Sequence, residues 1–204
     1  MKLVAEQLEV VRGEDTIFST VSFSLSDGES LIVTGPNGCG KSTLIRAVAG
    51  LLPLETGSLV IENLPAEISD RTLPELCHYL GHENAMKSAL SVEENLQFWR
   101  DFCGDPHLDV DEALEFVGLG GLGPLPYPHL STGQRRRASI ARLLVSYRPI
   151  WLLDEPTSGL DAASEEQFCK LMNAHLEDDG LILVATHVPL ALNKASPLRL
   201  TDIN

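Results

Sequence analysis

Residues 35–43 read GPNGCGKST, with the apolar run SLIVTG (30–35) ahead of them and the helical pattern KSTLIRAVAG (41–50) behind. The spacing G-x-x-x-x-G-K-[ST] falls on Gly35, Gly40, Lys41 and Ser42, in the strand-before, helix-after context that the pattern requires. Backbone N–H groups must curl around an anion here, and glycine permits both the unusual dihedrals and the close approach. The helix that follows turns its positive end toward the same point. Lys41 is expected to reach the β- and γ-phosphates and the Ser42 hydroxyl to ligate Mg²⁺, with Pro36, Asn37, Gly38, Cys39 and Thr43 completing the loop. A nucleoside triphosphate is the expected ligand.

The rest of the chain supplies a sheet for this unit. IWLLDEP (150–156) and LILVATH (181–187), like SLIVTG, are continuously apolar. Such runs suit parallel strands covered by helices on both faces. LEVVRG and VSFSLS alternate apolar and polar residues around the turns GED and SDGE, and read as an antiparallel flank on the main sheet. Residues 84 to about 146 differ: SVEENLQFWRDF and DVDEALEFVGL have helical spacing with acidic first turns, and a helix is expected from about Gly133 to Ser146. The expected fold class is α/β, a phosphate-loop NTPase core with a mainly parallel sheet, an N-terminal antiparallel β flank and an α-helical insertion. One domain over 1–204 is expected, with the helical subdomain at about 84–146.

Composition narrows the partners. A net charge of −14 argues against general nucleic-acid binding, and the basic cluster Arg135-Arg136-Arg137 is too short to change that. Cys39, Cys77, Cys103 and Cys169 include no C-x-x-C pair and read as free thiols in a reducing compartment. LILVA is far too short to span a bilayer, and MKLVAEQLEV lacks the apolar core of a secretory signal. A soluble, cytosolic chain is expected.

The strand PIWLLD ends in adjacent carboxylates. Asp154 can face Mg²⁺, and Glu155 can orient or deprotonate an attacking water. His187 ends the next apolar strand, where it either senses a γ-phosphate or caps the strand at the surface. LSTGQRRRASIARLL (130–144) opens a helix with Ser131, Gly133 and Gln134, a second anion-binding helix terminus in a chain that already has one. A second site of this kind makes sense if it serves the nucleotide held by another copy.

The ordered set GPNGCGKST, LSTGQ, LLDEPTSGLD and ATH resembles the ATP-binding cassette (ABC) ATPases over essentially the whole chain. The resemblance implies the fold of an ABC nucleotide-binding domain, Mg²⁺-dependent ATP hydrolysis, and a head-to-tail dimer that sandwiches two ATP molecules. It implies that Ser131, Gly133 and Gln134 act on the partner's nucleotide, and that Asp161 in SGLD (158–161) couples the two sites. GHENAMKSALSVEENLQFW (81–99), PIWLLDEPTSGLD and THVPL are most similar to the CcmA family, ATP-binding subunits of the haem exporters of cytochrome c maturation. That likeness implies membrane partners of the CcmB and CcmC kind and peripheral attachment at the cytoplasmic face of the inner membrane. Haem need not touch the chain, which has no C-x-x-C-H. Two rival readings are a generic ABC transporter ATPase with another cargo and a non-transport ABC ATPase acting on nucleic acid or ribosomes.

Two positions depart from the family pattern. Where an aromatic residue usually stacks on adenine, 23 positions before Gly35, this chain has Arg12, whose flat guanidinium can also stack on a base. In LGHEN (80–84), Glu83 stands 42 residues after Lys41, in the slot of a usual glutamine, which implies contact with Mg²⁺ and with the attacking water. His82 reads as a loop residue near the membrane-subunit contact.

Overall fold

The computed structural model describes residues 1–201. The chain divides into two compact units. The first comprises Met1–Tyr79, Pro149–Pro156 and the chain from Met172 onward; the second comprises Leu80–Arg148 and Thr157–Leu171.

In the first unit, β1 (Lys2–Arg12) and β2 (Asp15–Ser26) form an antiparallel hairpin, followed by β3 (Ser30–Thr34), α1 (Lys41–Val48) and β4 (Thr56–Glu62). A short turn of helix, α2 (Leu73–Leu76), leads into β5 (Cys77–Leu80). β1 is central to a three-stranded sheet of order β2-β1-β4. Its register shifts between Ala5 and Leu8, so the inward residues change parity from Leu3 and Ala5 to Leu8 and Val10. A one-residue bulge has this effect. Gly57 accommodates it, since a Cβ there would lie 2.5 Å from the Gln7 carbonyl oxygen. The antiparallel strands therefore form a sheet of their own rather than an extension of the parallel one. Alternation along a strand reports that one face is buried, but not which sheet the strand joins.

The second unit is built on α3 (Val92–Cys103), α4 (Val110–Phe116) and α5 (Thr132–Ala141), with α4 packed against both neighbours. Each helix starts on a reciprocal capping box, at Ser91 with Glu94, Asp109 with Glu112 and Ser131 with Gln134. Each box satisfies two donors that a helix start leaves open. α5 ends at Ala141, short of the expected Ser146. The carbonyls of Leu144 and Val145 instead accept from the backbone N–H groups of Leu108 and His107, and i→i−3 bonds at Leu143 and Leu144 tighten the chain.

The first unit is completed by β6 (Ile150–Asp154), β7 (Leu181–Ala185) and β8 (Ala195–Arg199), while α6 (Ala162–Glu177) starts in the second unit and ends in the first. The five-stranded sheet has the order β5-β6-β7-β3-β8. The pairs β6–β7, β3–β7 and β3–β8 are parallel. Every residue of β6 and β7 is buried, as expected of strands with apolar residues on both faces. One core joins Leu3, Leu8 and Phe18 of the antiparallel sheet, Leu44, Ile45 and Val48 of α1, and Val33, Leu152 and Leu183 of the parallel sheet. Each such fully buried side chain contributes about 1.5–3 kcal/mol. This core fixes α1 and the ends of the parallel strands relative to one another, and the candidate site is built there.

Candidate functional site

Open parallel sheets bind ligands at the carboxyl ends of their strands. Val33, Ala185 and Asp154 are register partners near those ends of β3, β7 and β6. Beyond β3, Gly35, Gly38 and Gly40 have φ of +150°, +88° and +95°. Side-chain atoms are excluded from the loop by close approach: a Cβ on Gly35 would sit 2.4 Å from the Leu200 carbonyl oxygen, and one on Gly40 would sit 2.9 Å from Ile17 Cγ2. Around Gly38 the space is open. α1 begins at Lys41, whose Nζ folds back to donate to the carbonyls of Gly35 and Pro36 at 2.9 and 2.8 Å. The ammonium thus lies inside the curl of the loop, poised to exchange two carbonyls for an anion.

Ser42 Oγ donates to Asp154 Oδ1 at 2.9 Å, and Asp154 is buried at the end of β6. A hydroxyl and a carboxylate meeting beside the phosphate loop form a hard oxygen donor set, which suits Mg²⁺ completed by phosphate and water oxygens. Among the described residues no three His, Cys, Asp or Glu side chains converge as a closed metal cage, and a Mg²⁺ site of this open kind needs none.

Glu155 follows with φ +46°, a left-handed conformation that is uncommon for a non-glycine residue. Its side chain is partly exposed, whereas that of Asp154 is buried. The Glu155 N–H is held by the Ala185 carbonyl at 2.8 Å. His187 Nδ1 lies 2.8 Å from Glu155 Oε2. The buried Thr186 hydroxyl accepts from the Val188 N–H at 3.0 Å, and this local turn sets the direction of His187. The first unit therefore brings together Lys41, Ser42, Asp154, Glu155 and His187. Arg12 is exposed at the end of β1, and the hairpin residue set against the phosphate loop is Ile17, beside Gly40. Its apolar character, two residues into β2, gave no signal of that role.

The second unit carries the remaining candidates. Ser131 caps α5, accepting from the Gln134 N–H at 3.3 Å, while Gln134 Oε1 accepts from the Ser131 N–H at 2.8 Å. Gly133 packs close to the SGLD turn: a Cβ on it would lie 3.3 Å from the Gly159 carbonyl oxygen. Gly159 has φ +81°, and Asp161, two residues on, caps α6 by accepting from the Ser164 N–H at 2.8 Å. That bond holds the Asp161 carboxyl below its ordinary pKa. Glu83 and His82 are exposed in the loop after β5. The three arginines after the signature point to backbone carbonyls: Arg135 to Pro128 at 2.6 Å, Arg136 to Gly81 at 2.7 Å, and Arg137 to Val117 and Gly118 at 3.2 Å. In sequence they are only a short basic cluster; the structural use of Arg136 and Arg137 depends on partners far away along the chain.

The ABC transporter family profile matches residues 18–158. Over 195 residues the chain is 57% identical to the cytochrome c biogenesis ATP-binding export protein CcmA of Mesorhizobium japonicum, covering 96% of each. It is 57% identical to the protein of that name from Chelativorans sp., covering 98% of each. The chain belongs to the CcmA branch of the ABC transporter family. Solved ABC structures share its fold. A bacterial ABC transporter cassette, MJ0796, solved as a dimer, superposes with a TM-score of 0.82 at 24% identity, over 99% of this chain and 95% of that one. The cbiO1 protein of Clostridium perfringens, part of the ABC transporter complex cbiONQ, gives 0.71 at 29% identity, over 91% and 78%. In this ABC cassette, as in its CcmA relatives, nearly the whole length is accounted for by the family likeness.

Proposed function

We propose that this ABC-type ATPase drives a membrane complex that handles haem during the maturation of c-type cytochromes. The observation that carries the haem assignment is the likeness to CcmA along nearly the whole chain. The ATPase chemistry is supported by Lys41, Ser42, Asp154, Glu155 and His187 standing together at the strand ends.

In this reading the loop from Gly35 to Thr43 surrounds the triphosphate with backbone N–H groups, and Lys41 Nζ leaves its two carbonyls for the β- and γ-phosphates. Ser42 and Asp154 would hold Mg²⁺, and the family likeness is what assigns Glu83 as a further oxygen donor. The metal, when bound, neutralises charge that develops on the phosphates. Glu155 accepts the proton of the attacking water, and His187 keeps Glu155 aimed while donating to the γ-phosphate. Water oxygen bonds to the γ-phosphorus as the bridging oxygen departs with ADP. Arg12 would stack its flat guanidinium on the adenine base. Ser131, Gly133 and Gln134 act on the nucleotide of a second copy in a head-to-tail dimer, and Asp161 at the neighbouring turn links the two sites.

Among the described residues no helix is long and apolar enough to cross a membrane. Membrane subunits of the CcmB and CcmC kind would hold the chain at the cytoplasmic face of the inner membrane. Nucleic acid is not a partner in this reading. The test is a strain lacking this chain, scored for covalently haem-bound c-type cytochromes by haem staining. Their loss, restored by the wild-type chain and not by Glu155→Gln, is expected; normal cytochromes c in the deletion strain would refute the assignment.

A further inference from the structure

His187 opens a stretch of chain that the core does not support. Residues 187–194 form no helix or strand, and none of them is buried. Val188 and Leu190 instead line a mostly apolar pocket of about 590 Å³, together with His187, Ile32 and Thr34 of β3, and Pro197 of β8. The pocket belongs wholly to the first unit. The segment thus borders open space where a buried loop would meet side chains, and hydrogen bonds have to fix its course.

Two of those bonds come from one side chain. Asn173, half-buried on the part of α6 that belongs to the first unit, donates from Nδ2 to the Ala191 carbonyl at 2.9 Å. Its Oδ1 accepts from the Asn193 N–H at 2.8 Å. An amide suits this pair, because it carries a donor and an acceptor side by side, whereas a carboxylate offers acceptors alone. Ser30 of β3, fully buried, adds a bond from Oγ to the Asn193 carbonyl at 3.3 Å. Lys194 then turns through φ +47°, a strained value that persists only where its surroundings fix it, and the chain enters β8.

At the near end of the segment, the Thr186 turn starts His187 toward Glu155. The His187 side chain is 68% exposed, so packing does not hold the ring and the backbone on either side must. A segment pinned at Thr186 and at Asn173, beside a pocket into which it could sag, keeps the ring in place only while both pins hold.

We propose that Asn173 is a positioning residue for ATP hydrolysis: its amide clamps the segment after His187 and so keeps His187 on Glu155. This rests on the roles proposed above for His187 and Glu155.

The test uses the full chain with its membrane partners and compares Asn173→Leu, close in shape but without the amide, with His187→Ala and the double variant. Asn173→Leu is expected to lower ATP turnover about tenfold while changing the KM for ATP less than about threefold. Asn173→Asp, which keeps the acceptor and loses the donor, should fall between the two. Adding Asn173→Leu to His187→Ala is expected to cost less than about twofold more, because residues acting through one another are not additive. Fully additive losses, a loss confined to KM, or full activity in Asn173→Leu would overturn the proposal. The NMR signals of the His187 ring nitrogens supply a readout independent of turnover. Glu155→Gln should displace them, and Asn173→Leu should displace them in the same direction; signals unchanged by Asn173→Leu would refute the clamp. Should Asn173→Leu not fold, Asn173→Ser, too short to reach both partners, is held to the same NMR result. If His187→Ala alone turns over at the wild-type rate, the role proposed for His187 fails, and the NMR result still decides whether Asn173 holds the ring.

Discussion

Ser42 Oγ and Asp154 Oδ1 lie 2.9 Å apart although 112 residues separate them in sequence. The hydroxyl starts α1 and the carboxylate ends β6, and one apolar core fixes both elements. Their contact places two oxygen donors for a hard cation beside the phosphate loop without any movement of the backbone. Asp154→Asn is expected to raise the Mg²⁺ concentration for half-maximal ATP turnover by about tenfold or more. A Mg²⁺ titration at saturating ATP checks this, and an unchanged midpoint would remove Asp154 from the metal site.

The phosphate loop gives a graded prediction. Alanine at Gly38 meets open space and bears only the cost of its positive φ, about 1–2 kcal/mol. Alanine at Gly35 adds a collision with the Leu200 backbone carbonyl, 2.4 Å from the new Cβ, so the backbone has to shift. Thermal unfolding should rank Gly35→Ala as the less stable variant. Equal melting temperatures would contradict the packing described around Gly35.

How far the site could be read from sequence depended on how local its determinants are. The strand–loop–helix around Lys41 was legible because turn chemistry and apolar run lie within a few residues of each other. Asp154 and Glu155 were legible as a strand end, but the +46° φ of Glu155 was not, because the Ala185 carbonyl that holds it belongs to another strand. The tie from Arg136 to Gly81 spans 55 residues and left no trace in the spelling RRR. For the same reason the end of α5 was misjudged: residues 107 and 108 take its downstream carbonyls. Apolar periodicity reports a buried face, and competing tertiary hydrogen bonds decide where that face stops.

His175 sets a pH dependence of stability. Its ring stacks on Trp151 with centroids 4.0 Å apart, and Nε2 lies 3.2 Å from the Pro149 carbonyl. Burial pushes its pKa down from 6.5 to about 4, against the opposing pull of that carbonyl. The folded value lies below the unfolded one, so the contribution is complete above pH 6.5 and is lost as pH falls from 6.5 toward 4. Denaturant unfolding should show this group removing about 2 kcal/mol between pH 7.5 and pH 5. His175→Phe, which stacks without titrating, should flatten the profile by that amount; an unchanged profile would show that His175 is not the group responsible.

The family likeness implies that Glu83 takes the slot of a glutamine, and in the proposed reading its carboxylate would add negative charge to that of the phosphates. Glutamine keeps a carbonyl oxygen for a metal and removes that charge. Glu83→Gln should therefore preserve or raise ATP turnover. A collapse of the rate would show that the carboxylate has a role of its own.

The central claim is that this chain hydrolyses ATP with Glu155 taking the proton of the attacking water. Steady-state phosphate release by Glu155→Gln, measured beside retained binding of ATP, tests it most directly. The account predicts a fall of about a hundredfold or more with ATP still bound; turnover at the wild-type rate would contradict it.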